Sequence, residues 1–278
     1  MTTDYIEGIR AYSRKHLDRM LESKRRWRVL TFGNAKVVKG RKKGVLTAVL
    51  HLAPGNLAGV GNTCLKATPG CLEACLNTAG RSAAHMLRKG EVYNASQVAR
   101  IARTVWLKTD RAALMAALVR DVESLIRRAK KADLVPMLRL NGTSDLPWWK
   151  ARTDTGQTIF ERFPDLQCYD YTKVPFNPGI DNYHLTFSLS ETNAAEAYAV
   201  LRSGTMNVAA VIEGGYREGM TFWGFPCVDG DADDIRPYDP KGGHVIVLAP
   251  KGEAKGDDSG FVRKRDEVAP ARHLLMVG

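Results

Sequence analysis

Three of the five cysteines fall in one short stretch, residues 56–81, which reads NLAGVGNTCLKATPGCLEACLNTAGR. Six residues separate Cys64 from Cys71 and three separate Cys71 from Cys75. Pro69-Gly70 supplies a turn that lets the chain fold back, so the three sulfurs can converge. Thiolates are soft ligands suited to zinc or iron–sulfur centres. A structural zinc site needs four protein ligands, commonly as two spaced pairs, and here no fourth ligand is clustered with the three. Three thiolates leave one iron of a [4Fe–4S] cluster open, so the metal predicted is such a cluster, held by Cys64, Cys71 and Cys75. The bland alternative is that these are small buried hydrophobes, as free cysteines often are. Cys168 and Cys227 are read first as core residues, and secondarily as a fourth ligand or a hydrogen donor.

The elements that must position this loop are strands. Residues 45–52 (VLTAVLHL) form an apolar, β-branched run just before it, which predicts a buried strand. Further strands are expected at 135–140, 166–171, 183–188, 207–212 and 244–249. Helices are expected over 4–25, from a Ser96 cap onward, over 112–131 behind an Asp110 cap, and from Ser190-Glu191 to Arg202, closed by Gly204. Apolar strands alternating with helices imply a mainly parallel sheet covered on both faces. The fold class read from this order is α/β: a partial (β/α) TIM-like barrel of about six strands. It carries a basic N-terminal helical and ribbon extension, residues 1–44, ahead of the domain at 45–278. The connection from 173 to 183 contains Pro175 and Pro178 and is too short for an ordinary crossover helix.

Polar residues follow these strands in sequence: Asn141, Thr143, Ser144 and Asp145; Asp170, Thr172 and Lys173; Ser188, Ser190 and Glu191; Glu213; Lys251. In βα barrels the site lies at the C-terminal ends of the strands, and the cysteine loop opens onto that same end. A second acidic group, Asp229, Asp231, Asp233, Asp234 and Asp239, resembles the start of a calcium loop. Its glycine and terminal glutamate are out of place for one, so it is read as a solvated or locally hydrogen-bonded turn. A metal-dependent hydrolase or nuclease is the function class it would otherwise suggest.

The formal net charge is +11 and the pI about 9.5. The excess is uneven: residues 10–43 carry thirteen Lys or Arg against Asp18 and Glu22. Such density favours phosphate contact, with Trp27 as a stacking residue, so nucleic acid is a candidate partner through residues 10–43. No apolar run approaches a membrane span. The polar N-terminus and the crowded, odd-numbered cysteines point to a reducing, cytoplasmic address.

A three-cysteine loop after the first strand of such a fold resembles radical S-adenosylmethionine enzymes. That resemblance implies a cluster whose open iron is chelated by the methionyl group of S-adenosylmethionine. It places the methionyl amine on residues 142–145, the ribose and carboxylate on Ser188, Ser190 and Glu191, and the adenine along 208–213. Asn141, Thr143, Ser144, Ser188 and Glu191 are then the cofactor-binding candidates. Asp145, Asp170 and Lys173 are the catalytic candidates, with Tyr169 or Tyr171 as relays. The cysteine spacing of that superfamily is three then two, against six then three here. A closer resemblance is to the phage-encoded "gene product eighty-eight" family. It is carried by GNTCLKATPGCLEACLNTAGR, LRLNGTSD, YDYTK, NYHLTFSLSE, VDGDADDIRPYDP and LAPKGEA, which span most of the chain. It implies a viral origin, and hence the host cytoplasm, without supplying an activity. The expected function is a phage iron–sulfur protein, radical S-adenosylmethionine-like if catalytic. The alternative is a non-catalytic cluster protein that binds nucleic acid or host factors, with a small molecule as the partner in the first case.

Overall fold

The structure, a computed structural model, describes residues 2–23, 27–33, 35–83, 85–267 and 269–270. In chain order its elements are α1 (Thr3–Glu22), β1 (Leu30–Thr31), α2 (Ala35–Arg41), β2 (Val45–Leu50) and α3 (Pro69–Glu73). Then come α4 (Ala95–Thr109), α5 (Arg111–Lys131), β3 (Val135–Arg139), α6 (Ile159–Arg162), β4 (Gln167–Thr172) and β5 (Tyr183–Ser188). The chain continues through α7 (Ala194–Ser203), β6 (Asn207–Val211), β7 (Thr221–Phe222), β8 (Phe225–Asp229) and β9 (Val245–Leu248). The backbone divides into two units, one of residues 1–65 and 76–168, the other of residues 66–75 and 169–278.

In the first unit every residue of β2 is buried, as a strand covered on both faces requires. It pairs in parallel with β3 in the register Val45 to Val135 and Val49 to Arg139. Met137 and Leu138 of β3 in turn pair with Gln167 and Cys168 of β4. The basic segment joins this unit through α1. The helix buries Ile9, Ser13 and Leu17, and Arg10 donates from Nε and Nη2 to the carbonyls of Leu57 and Asn56, each at 2.8 Å. The expected ribbon is only half present. β1 pairs antiparallel with β2, and its start is pinned by the Asp121 carboxylate, which accepts the Val29 and Leu30 N–H groups at 2.8 and 3.1 Å. The second arm is the helix α2. Of the basic segment, residues 24–26 and 34 lie outside the described residues.

The α4 cap is Asn94, two residues ahead of the expected Ser96. Its side chain accepts the Ser96 and Gln97 N–H groups at 2.9 and 3.3 Å. Asparagine is as strong a cap as serine, and the apolar periodicity alone does not choose between them. Asp110 caps α5 as read, accepting the Ala113 N–H at 3.0 Å.

In the second unit β5, β6 and β9 are parallel neighbours. β8 adds in parallel beside β9, and β7 closes a tight antiparallel hairpin on β8. The hairpin turn holds Trp223 at φ 55° and Gly224 at φ 82°. The helix α7 begins after Asn193 rather than at Ser190-Glu191 and ends on Gly204 in the left-handed conformation, φ 66°, the usual glycine stop. Residues 173–182, between β4 and β5, hold no helix.

Among the described residues the strand order is β1-β2-β3-β4-β5-β6-β9-β8-β7, nine strands in a mostly parallel sheet. Six of them are the six expected and β1 is one arm of the expected ribbon; β7 and β8 are additional. The order is open, ending in two-residue antiparallel strands at both edges, and barrel closure is not seen in it. Short antiparallel edges of this kind are a standard way to end a sheet. Among the described residues no helix is long and apolar enough to cross a membrane.

Candidate functional site

In the first unit the loop that leads to Cys64 is fastened to the end of β2 and to the loop after β3. Thr63 donates its hydroxyl to the Ala53 carbonyl at 2.5 Å and its N–H to the Gly55 carbonyl at 3.0 Å. The Asp145 N–H donates to the Thr63 carbonyl at 2.8 Å, so that Cys64 and Asp145 pair as an isolated parallel bridge. The Cys64 sulfur accepts the Gly55 N–H at 3.4 Å and lies 3.8 Å from the Thr143 carbonyl. Thr143 donates its hydroxyl to the Leu52 carbonyl at 2.6 Å. Gly142 makes the approach possible: a Cβ there would stand 2.6 Å from Val49 Cγ1 and 2.8 Å from the Leu50 carbonyl oxygen.

Asn141 organises this loop. Its Oδ1 accepts from Ser144 Oγ at 2.9 Å and from the Leu146 N–H and Trp148 Nε1 at 3.0 Å each, while its Nδ2 donates to the Leu146 carbonyl. Asn141 and Ser144 are both buried. Both side chains hold the loop that carries Thr143 and Asp145.

In the second unit the rest of the cysteine loop meets the loop after β5. Glu191 Oε1 accepts the Gly70 N–H at 2.8 Å and its Oε2 accepts the Thr68 hydroxyl at 2.7 Å. Thr68 in turn caps α3, accepting the Cys71 N–H at 3.3 Å. The carboxylate therefore sets the first turn of the helix that carries Cys71. A Cβ on Gly70 would collide with Ser259 Oγ and meet Glu191 Oε1 at 2.8 Å. Ser188 lies beside this clamp, its carbonyl accepting from Asn193 Nδ2 at 3.0 Å.

Cys64, Cys71 and Cys75 are reduced, outside any disulfide, and of intermediate exposure. Their donor chemistry suits a cluster, and the Gly55 N–H on the Cys64 sulfur is the kind of contact that stabilises a ligating thiolate. Among the described residues, however, no three His, Cys, Asp or Glu side chains stand together as a group able to hold a metal ion. Cys168 is buried in the core. Burial pushes the Cys227 thiol up to about 11, so it stays protonated.

The catalytic candidates have separate surroundings. Asp145 sits at the Cys64 bridge. Asp170 is wholly buried and accepts the Tyr183 hydroxyl at 3.0 Å, while Tyr171 donates to Asp234 at 3.3 Å. Lys173 lies over the Phe261 ring, 5.9 Å from its centroid.

The acidic turn is locally hydrogen-bonded. Asp229 and Asp233 accept the N–H two residues on, at 2.9 Å each, and Asp231 accepts the Ala249 N–H at 2.9 Å. Asp233 and Asp239 pair with the buried Arg236 at 3.4 and 3.2 Å.

A cationic group at the ends of β2 and β3 is absent from the sequence reading. The Arg103 guanidinium donates to the His51 carbonyl at 3.2 Å and Arg100 donates to Asn77 at 2.5 Å. Burial first, then Arg100, Arg139 and Arg103, holds the His51 imidazole well below its ordinary range. Burial and Arg100 bring Arg103 down to about 10, partly offset by Asp121. The signal that would have found it is two arginines three positions apart among the apolar residues of α4.

The chain belongs to the Gene product 88 family, whose profile matches residues 28–265. No curated protein and no solved structure matches it.

Proposed function

We propose that this member of the Gene product 88 family is a phage iron–sulfur protein of the host cytoplasm, with Cys64, Cys71 and Cys75 as the ligands of a [4Fe–4S] cluster. One observation carries the reading. The loop bearing the three thiols is fastened on both sides of Lys66 by loops that follow strands: Asp145 takes the Thr63–Cys64 side, and Glu191 takes the Thr68–Gly70 side. A loop held so closely at the sheet's C-terminal ends is where α/β proteins place their chemistry. When bound, the cluster would supply an electron-transfer centre with one iron open to a non-protein ligand. Because the thiols do not form a ready-made ligand group, drawing them together is part of loading, and metal binding and local ordering are coupled.

Within this reading the chain's own residues have distinct tasks. Gly55 steadies the Cys64 sulfur, and Asn141 and Ser144 shape the loop that presents Asp145. Glu191 orients α3. If S-adenosylmethionine is the partner at the open iron, Thr143 and Ser188 are the candidates left to contact it, with Asp145, Asp170 and Lys173 positioning a substrate. The commitment of Glu191, Asn141 and Ser144 to protein groups favours the second reading. In that reading the cluster is non-catalytic and the chain binds nucleic acid through its basic segment.

The test is purification without oxygen, followed by iron and sulfide analysis and EPR of the reduced protein with and without S-adenosylmethionine. About four irons per chain support the cluster. A spectrum changed by S-adenosylmethionine supports the radical enzyme, and an unchanged one the non-catalytic protein. Absence of iron, or zinc in its place, overturns the cluster.

A further inference from the structure

Two basic segments far apart in sequence meet in the first unit at the end of the sheet where β2 and β3 begin. One is the last turn of α2 and the turn after it, with Lys39, Arg41, Lys42 and Lys43. The other is the end of α5, with Arg127, Arg128, Lys130 and Lys131. The Val135 N–H donates to the Gly44 carbonyl at 2.8 Å and fixes the two chain segments side by side. Between them lies a cavity of about 320 Å³ lined by Phe32, Arg41, Leu46, Arg128, Ala132 and Leu134. Arg128 stands over the Phe32 ring, 4.8 Å from its centroid, and Arg41 donates to the Phe32 carbonyl at 3.3 Å. The acids on the same segments are Asp133 and Glu123, the latter paired with Arg127 at 3.9 Å.

Basic residues in a helix's last turn offset the negative end of its dipole. That accounts for one or two cations at each helix end, and not for eight on two adjoining segments, two of which, Arg41 and Arg128, line the cavity beside Phe32. Phosphate neutralisation by clustered Lys and Arg is the source of sequence-independent nucleic-acid affinity. Unpaired bases stack on aromatic rings and guanidinium planes, which a duplex keeps hidden. We infer that this face binds single-stranded nucleic acid, with one base entering the Phe32–Arg128 cavity and the backbone running over Lys39–Lys43 and Arg127–Lys131. The inference rests on the nucleic-acid reading alone and is independent of the cluster. It also moves the aromatic contact from Trp27 to Phe32, since the Trp27 ring is stacked on Trp106 with centroids 5.4 Å apart and planes 6° from parallel.

The experiment is fluorescence anisotropy of the full chain with a labelled single-stranded oligothymidylate and with a duplex of equal length, across a salt series. Expected is tighter binding of the single strand, with a log–log salt slope of about −3, which amounts to roughly a sixtyfold loss between 50 and 200 mM salt. Replacing Lys42→Glu together with Lys43→Glu weakens binding at least tenfold and flattens the slope. Phe32→Ala removes most of the preference for the single strand. Arg202→Glu with Lys241→Glu, exposed in the second unit and outside the basic segment, changes affinity less than twofold. No binding, equal or tighter binding of the duplex, or indifference to the Lys42 and Lys43 changes overturns the inference. The exposed turn pair keeps the test decisive even where Phe32→Ala disturbs the strand. Iron content reads the cluster separately, so the two can fail independently.

Discussion

Glu191 accepts the Gly70 N–H at 2.8 Å, and this bond spans 121 positions of sequence to fix the turn that leads into Cys71. With the Thr68 hydroxyl on its other oxygen, the carboxylate makes two charge-assisted bonds. Glu191→Ala should cost about 2–3 kcal/mol in a urea titration. Iron recovered per chain should fall with it. Glu191→Gln, which retains one acceptor, should fall between the two. Full iron in Glu191→Ala would remove the clamp from the account of the cysteine loop.

Gly142→Ala tests the other fastening. The added methyl meets Val49 Cγ1 at 2.6 Å, the Leu50 carbonyl oxygen at 2.8 Å and His51 Cδ2 at 2.9 Å. Strand β2 is packed throughout, so overpacking should destabilise the chain by about 1–3 kcal/mol. A melting temperature equal to that of the unaltered protein would show that this approach is looser than described.

Asp121 is buried between the start of β1 and the Arg103 guanidinium, whose charge it favours. Asp121→Ala strands two buried N–H groups and leaves Arg103 less compensated. The expected loss is about 2–4 kcal/mol, from two buried N–H groups left without an acceptor. Equilibrium unfolding in guanidinium measures it, and a loss below 1 kcal/mol would contradict the assignment.

Two groups in the second unit make stability depend on pH in opposite senses. Burial, assisted by Arg236, brings the His184 imidazole down to about 4. Its contribution is complete above about pH 6.5 and is lost as the pH falls towards 4, because the unfolded chain takes up the proton first. The side chain keeps partial exposure, so about 1–2 kcal/mol is expected over that interval. Burial raises the Asp239 carboxyl to about 6 against the opposing pull of Arg236. Its contribution is greatest below about pH 4 and declines as the pH rises through 6. Stability measured from pH 4 to 7 should rise less steeply with pH in His184→Gln and more steeply in Asp239→Asn than in the unaltered chain.

The cysteine assignment is tested by colour. A Cys64→Ala protein purified without oxygen should lose the brown absorbance and most of its iron. Cys227→Ala should keep both, since that thiol is held protonated. Retained iron in Cys64→Ala would remove Cys64 from the ligand set.

The six principal strands were legible because each is an apolar run bounded by polar turns, and burial on both faces leaves that pattern intact. β1 was legible as one arm of the ribbon ahead of residue 45, whereas β7 and β8 were not. Thr221-Phe222 is two residues long and residues 225–229 carry a proline, so no periodicity marks them. The loop residues after the strands were legible by type, but their hydrogen-bond partners were not. A Glu, an Asn and a Ser read alike whether they meet a ligand or a backbone N–H. Only the fold shows Glu191 on Gly70 and Asn141 on Trp148. Arg100 and Arg103 were missed for the opposite reason: buried cations on an apolar helix face contradict the pattern used to find the face.

The Glu191 clamp also has a consequence in time. Thr68 and Gly70 leave the ribosome 123 and 121 residues ahead of the carboxylate that secures them. At ordinary synthesis rates that interval is roughly 6–25 seconds. Through it the nascent chain carries Cys71 and Cys75 on a segment not yet fastened, within reach of oxidants and stray metal ions. The clamp closes only when the loop after β5 has been made, so the emergence of Glu191 marks the earliest moment at which the cysteine loop can take its final form.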